Sequence, residues 1–247
     1  MRTANPALNA KTFENLPAVA GVEEMMTLQG TVNKSALLLG IVVAAAAYTW
    51  NLFFSSADQA AVLPYVLGGA LGGFVVALVT VFKKTWAPLT APLYAALEGL
   101  FLGALSAMME VEFPGIVLQA VSLTFGIFFS LLLAYRSGLI KPSENFKLGV
   151  TAATGGIALI YFVTMLLGFF GISMPFIHDN GLFGIGFSVF VVTLASLNLV
   201  LDFDFIETGV ERGAPKYMEW YASFGLLVTL VWLYLEILRL LAKLARR

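Results

Sequence analysis

The residues of this chain that could do chemistry are carboxylates set in or beside apolar runs. Asp202, Asp204 and Glu207 close the stretch LASLNLVLDFDFIETGVER at 194–212, and Glu98 stands inside PLYAALEGLFLGALSAMMEVEFPG at 92–115. A carboxylate in hydrocarbon costs about 2.5–3.5 kcal/mol even on insertion scales, so such residues face a partner, a cavity or an ion path. Their chemistry is to take up and release protons and to offer hard oxygen ligands of the kind calcium prefers. Asp202 is the first candidate. The plainer reading, a membrane helix emerging into water, accounts for Asp204 and Glu207 and competes for Asp202. Glu98 lies about eleven residues into its run, close to the midplane of any bilayer it crosses at about 1.5 Å of rise per residue. There a carboxyl poised between two protonation states is a proton-sensitive switch, and a satisfied structural hydrogen bond is the alternative.

Other chemistries lack material. With no Cys there is no disulfide, thiol nucleophile or Cys-ligated metal, and the single histidine, His178, falls in a loop. Intramembrane hydrolysis would call for two midplane aspartates, a Ser with a base, or a metal site, and none is visible, so the chain is expected not to be an enzyme and to carry no cofactor. Glu236 and Arg239 are one turn apart and read as a local ion pair. Glu219, next to Trp220 and Tyr221, fits an anchor at headgroup level.

The elements that must position these residues follow from composition. Of 247 residues 60% are hydrophobic and 12% charged, with a mean hydropathy of +0.90. Soluble domains carry about 25% charged residues, so this is an integral membrane protein. A net charge of -1 gives no case for nucleic acid. From Ser35 the chain alternates apolar runs of about 20 residues, the length that spans a bilayer, with short polar breaks. Seven runs emerge, near 35–54, 62–82, 88–109, 115–135, 149–172, 181–203 and 220–241. The expected organisation is an amino-terminal tail over 1–34, a seven-helix membrane domain over 35–241 and a short basic tail over 242–247. The stretch 21–34 is a candidate interfacial helix.

Basic residues tend to stay in the cytoplasm. Arg2, Lys11 and Lys34, then Lys83 and Lys84, Arg136, Lys141 and Lys147, and Arg212 and Lys216 all fall on one side, which makes the amino terminus cytoplasmic. Lys243, Arg246 and Arg247 break the pattern, so the last segment either crosses despite its charges or is re-entrant. The other face, with Asp58, Glu110, Glu112 and Asp179, is acidic. It would concentrate cations, and surface hydration alone also explains it. Gly68, Gly69, Gly72 and Gly73, with Gly99 and Gly103, allow close helix approach, either within one bundle or at a partner.

From Met26 to Leu241 the sequence resembles the Bax inhibitor-1 family of membrane proteins, in its bacterial branch. LVLDFDFIETG at 199–209 is similar to the family's sixth-helix pattern of an aliphatic or aromatic residue, Asp, three variable positions and Ile, with Asp202 and Ile206 in the fixed places. WLYLEILRLL at 232–241 is similar to its final-helix ending, and MTLQGTVNKSALLLG and PLYAALEGLFLGALSAMMEVEFPG look like the bacterial members. The resemblance implies an all-α fold of seven transmembrane helices with the last packed inside a bundle of six. It also implies a pH-sensitive calcium leak governed by paired aspartates of the sixth and seventh helices. Asp202 takes the first role. The second should stand ten residues before Arg239, where this chain has Thr229, whose hydroxyl cannot share a titrating proton.

The expectation is therefore a proton-sensitive cation leak, with calcium the cation, in the bacterial cytoplasmic (inner) membrane. Asp202 and Glu98 are its carboxylates and transient calcium ligands, and Thr229 and Asp204 its neighbours. Thr229 and Glu98 lie at similar depths in their segments, so Glu98 is a candidate replacement for the missing Asp. The lipid bilayer, calcium and protons are the expected partners. The rival is a pore-free membrane protein that binds another membrane protein to regulate a protease or stress response through its small-residue faces.

Overall fold

The computed structural model describes residues 25–56, 58–171 and 181–246. Arg2, Lys11, His178, Asp179 and Arg247, named above, lie outside them. Within them run seven long helices, α1 Leu28–Ser55, α2 Leu63–Phe82, α3 Ala87–Glu112, α4 Ile116–Arg136, α5 Glu144–Phe169, α6 Leu182–Glu211 and α7 Met218–Ala245. Each contains a stretch long and apolar enough to cross a membrane. The only extended pairing among the described residues is an isolated bridge between Met25 and Pro215. The expected all-α, seven-helix membrane fold is what the chain forms.

The helices outrun their apolar stretches. α1 starts at Leu28, not near Ser35, because Thr27 caps it by accepting the Gly30 N–H at 3.0 Å. Residues 28–34, taken above as tail and interfacial helix, are thus the first turns of α1. Likewise α6 runs on to Glu211, and α7 to Ala245 through most of the presumed basic tail. The turn between them is a Schellman closure: Ala214 N–H donates to Gly209 O and Gly213 N–H to Val210 O, each at 3.0 Å, with Gly213 at φ 61°. Polar ends continue as helix here because side chains satisfy them within the protein, so the edge of the hydrocarbon does not end the helix.

The fate of the last segment is decided by one side chain. Lys243 is buried, and its Nζ donates to Gly184 O at 3.0 Å and to Ser188 Oγ at 2.9 Å in the first turns of α6. The end of α7 therefore reaches the start of α6, and its 28 unbroken residues span about 42 Å. That unbroken length is enough for a full crossing and exceeds what a re-entrant element needs. α7 is also the most buried helix, with 67% of its apolar window inside the protein against 50% for α3 and α6 and 11% for α5. That is the burial of an enclosed last helix, one that faces protein around most of its circumference.

The described chain forms two compact units, one of 25–56, 58–114 and 205–228, the other of 115–171, 181–204 and 229–246. In the first, glycines set the spacing. A Cβ on Gly99 would come 2.5 Å from Val42 O of α1, and one on Gly69 would come 2.7 Å from Leu97 O of α3. Gly103 meets Ala46 and Thr49 in the same way. The small-residue faces of α2 and α3 are thus used for helix packing inside this unit, whereas Gly68 has open space. In the second unit α5 and α6 share an apolar seam of Val150, Ile157, Val191, Leu194 and Leu201.

Gly99→Val should force α1 and α3 apart. Overpacking of this kind costs about 1–3 kcal/mol or more, and the melting temperature of the detergent-purified protein should fall by about 5 °C. Gly68→Val, in open space, should leave it within about 1 °C; equal losses would show that the α1–α3 contact is not what limits stability.

Candidate functional site

Along α5, Lys147, Thr154 and Tyr161 recur every seven residues, close to two helical turns, and so lie along one side. Each meets a polar group of its own unit. Lys147, whose side chain is 4% exposed, places Nζ 2.8 Å from Asp204 Oδ2 of α6 and 3.2 Å from Glu144 Oε1. Thr154 Oγ1 accepts from Asn198 Nδ2 of α6 at 2.9 Å. Tyr161 donates its hydroxyl proton to Glu236 Oε1 of α7 at 2.9 Å. Arg239 Nη1 donates to Glu236 Oε1 and Oε2 at 2.9 and 3.1 Å and to the Tyr161 hydroxyl at 2.9 Å. Its guanidinium lies 5.3 Å from the Tyr161 ring centre. The Glu236–Arg239 pair expected from spacing is present, and Tyr161 extends it into a triad.

Asp202 is fully buried, at 0% exposure, two residues before the ion-paired Asp204. Between them Phe203 packs edge-on against Phe128 of α4, ring centres 5.8 Å apart, and 5.8 Å from the Tyr135 ring. One turn earlier on the Asp202 side of α6 is Asn198, itself 2% exposed. Asp204, read from the sequence as emerging into water, is held in an ion pair with its side chain 15% exposed. The α5 helix begins at Glu144, which brings Lys147 out of the loop and onto α6 as its counter-ion. Thr229 is buried at 3% exposure in the same unit as Asp202.

Glu98 belongs to the other unit, on α3, and is 9% exposed. Its Oε2 occupies the space opposite Gly73 of α2, where a Cβ would come within 2.9 Å. One turn before it, Tyr94 is buried edge-on to Phe224 at 5.0 Å between ring centres. The carboxyl points into protein and not to lipid. The structure gathers Asp202, Asp204, Thr229, Glu236 and Arg239 into one unit and Glu98 into the second.

Glu219, expected as an anchor at the start of the last segment, is fully buried within the protein, and it accepts from Thr27 N–H at 2.9 Å and Thr27 Oγ1 at 2.8 Å. Lys34 and Lys216 pair with it as well, the second at 3.1 Å. Met26 N–H donates to Ala214 O at 2.6 Å beside it, so the segment ahead of α1 is tied to the α6–α7 turn. Four donated contacts from two cations and one threonine explain how a carboxylate survives burial there.

Among the described residues no group of three or more His, Cys, Asp or Glu lies within reach of a common metal ion. The residues that sequence reasoning passed over are Asn198, Thr154, Lys147 and Tyr161. The signal that could have found them is the seven-residue recurrence on α5 and the four-residue step from Asn198 to Asp202.

A family model described as Bax inhibitor 1 like matches residues 5–246. No curated protein and no solved structure matches the chain.

Asp204→Asn leaves the Lys147 ammonium largely buried with only the exposed Glu144, and should destabilise the protein by about 1–3 kcal/mol. Adding Lys147→Met should recover at least half of that loss in a double-mutant cycle of melting temperatures. Strictly additive losses would mean the two residues do not act as a pair.

Proposed function

The chain belongs to the Bax inhibitor 1 like family of membrane proteins, and on that premise we propose that it is a proton-sensitive calcium leak, with Asp202 as the principal titrating gate. The observation that carries this reading is the complete burial of the Asp202 carboxyl in an otherwise apolar membrane helix. A carboxyl so placed changes its interactions with neighbouring helices when it gains or loses a proton, and its oxygens suit a hard cation in transit. Asp204, two residues further along the same helix, is neutralised by Lys147, which Glu144 also pairs with. Glu98 supplies a second buried carboxyl, and in this reading it takes over part of the role that an aspartate at 229 would have. No cofactor or enzymic step is called for.

The small-residue faces that a pore-free regulator would present are, at Gly69, Gly73, Gly99 and Gly103, occupied by contacts within one unit. This favours the leak over the interaction reading. With seven full crossings and a cytoplasmic amino terminus, Lys34, Lys83, Lys84, Arg136, Lys141, Arg212 and Lys216 share the cytoplasmic side of a bacterial inner membrane. Glu110 and Glu112 then mark the outer side, where they raise the local concentration of cations.

In vesicles loaded with a calcium dye, Asp202→Asn should flatten the pH dependence of calcium entry and change its rate by about threefold or more. Glu98→Gln should shift the response without abolishing it, and Glu98→Gln with Thr229→Asp should restore part of it. If Asp204→Asn flattened the profile equally, the gate would be a general charge effect at the α6 end. If no vesicle carried calcium, the pore-free reading would stand instead.

Topology gives a separate check. In intact cells a tag at the amino terminus should resist external protease, and a tag at the carboxyl terminus should be cut. Cleavage of the amino-terminal tag would reverse the orientation.

A further inference from the structure

The four glycines of α2 meet four different surroundings. A Cβ on Gly68 would find nothing within 4 Å, and one on Gly69 would strike backbone, 2.7 Å from Leu97 O of α3. One on Gly72 would touch the tip of the Leu97 side chain at 3.3 Å. Of the four, Gly73 alone has a carboxyl as its nearest neighbour. Glu98 Oε2 lies 2.9 Å from where the Cβ would stand, with Cε2 on the edge of the Tyr94 ring 4.0 Å from the same point. Ordinary van der Waals contact for a Cβ is 3.4–4 Å, so the Glu98 carboxyl occupies volume that a larger residue at 73 would take.

The kind of atom in contact decides what a side chain at each position would do. At Gly69 the backbone of α3 can yield only if the two helices part. At Gly73 the neighbour is the far end of a flexible side chain, which moves by a few tenths of an ångström on its own. The residue at 73 therefore controls where the carboxyl sits without controlling how α2 and α3 pack. That position matters, because the polarity within a few ångströms of a buried carboxyl sets its readiness to ionise.

The other titratable and charged groups of the packed elements stand elsewhere. α1 and α2 pack on α3, and Phe224 of α7 packs on Tyr94. On α1, Lys34 pairs with Glu219, and Tyr48 hydrogen-bonds Tyr65 of α2. Both are about 9 Å or more along α1 from Val42, which abuts Gly99 beside Glu98. Tyr65 and Lys83 are about 12 Å or more along α2 from Gly73, and Glu110 and Glu112 about 18 Å or more along α3 from Glu98. At the start of α7, Lys34 and Lys216 hold Glu219, and Tyr221 faces Lys84. Tyr94, one turn before Glu98, is the titratable group beside the gap.

We propose that Gly73 is a positioning residue for Glu98: the gap it leaves on α2, edged by Tyr94, seats the carboxyl and sets the pH at which Glu98 exchanges its proton. This rests on the leak reading above, in which Glu98 is the second buried carboxyl, and adds to it a residue on a neighbouring helix.

The test uses the full-length protein in vesicles and reads Glu98 directly as well as through flux. The C=O stretch of the protonated carboxyl, assigned by its loss in Glu98→Gln, is followed across pH in infrared difference spectra, and calcium entry is measured on the same preparations. Gly73→Ala should move the midpoint of that band by about half a pH unit or more, a roughly threefold change in the protonation equilibrium, and should move the pH dependence of calcium entry with it. Its melting temperature should stay within about 2 °C of wild type. Gly72→Ala, whose methyl meets leucine, should leave band and flux in place, and Gly69→Ala should lower the melting temperature by about 5 °C, as a merely structural glycine does. Glu98→Asp keeps the acid but withdraws it from the gap, and it gives the answer if Gly73→Ala does not fold. Its midpoint should move by about one pH unit, beyond the roughly 0.4 unit that separates the two acids in water. A midpoint unmoved in Gly73→Ala, or no band that Glu98→Gln removes, overturns the assignment while leaving any Asp202-dependent calcium entry intact. A midpoint that moves in vesicles carrying no calcium overturns the leak reading and upholds the seat.

Discussion

A polar side chain inside hydrocarbon has no water to fall back on, and the arrangement of this protein turns on how each such group is satisfied. Every ionisable residue that the apolar helices carry inward needs a partner at a definite height, and supplying that partner fixes which helices meet and in what register. Lys147 with Asp204, Tyr161 with Glu236 and Arg239, and Lys243 with Gly184 and Ser188 each act as such a tie. Apolar packing alone is less specific in a membrane, because lipid tails compete with side chains on nearly equal terms.

The same constraint divides the carboxylates by role. Glu219 is buried, but two lysines and both donors of Thr27 hold it, so it acts as a clamp between the start of α1 and the start of α7. Glu236 is buried and held by a guanidinium and a phenol, again as a tie. Asp202 is completely buried, and Glu98 fills the space a glycine leaves. Carboxyls of the first kind tie helices together through charged and hydrogen-bonding partners; those of the second kind are the ones on which the proposed leak depends.

Glycine plays the complementary part. Where α1, α2 and α3 approach most closely, the absence of a Cβ at Gly69, Gly99 and Gly103 lets backbone meet backbone or the base of a side chain. At Gly73 the same absence admits a carboxyl. One residue type thus sets helix spacing at three positions and makes room for a functional group at a fourth.

The sequence by itself determined the membrane class, the seven apolar segments, the family pattern around Asp202 and Ile206 and the Glu236–Arg239 pair. Each of these depends on composition or on spacing within one helix, which the chain carries locally. Tertiary structure alone decided that Asp204 pairs with Lys147, that Glu219 is a buried clamp, that the end of α7 reaches the start of α6, and that Asn198 faces Thr154. Helix ends were misjudged for one reason. At Leu28 and Ala245 polar turns are tied to residues distant in the chain, Thr27 to Glu219 and Lys243 to Gly184 and Ser188, and at Glu211 a local Schellman turn closes the helix; hydropathy sees only the loss of apolar character. The partners that make a buried charge tolerable come from other helices, and no local pattern states which face of one helix meets which face of the next.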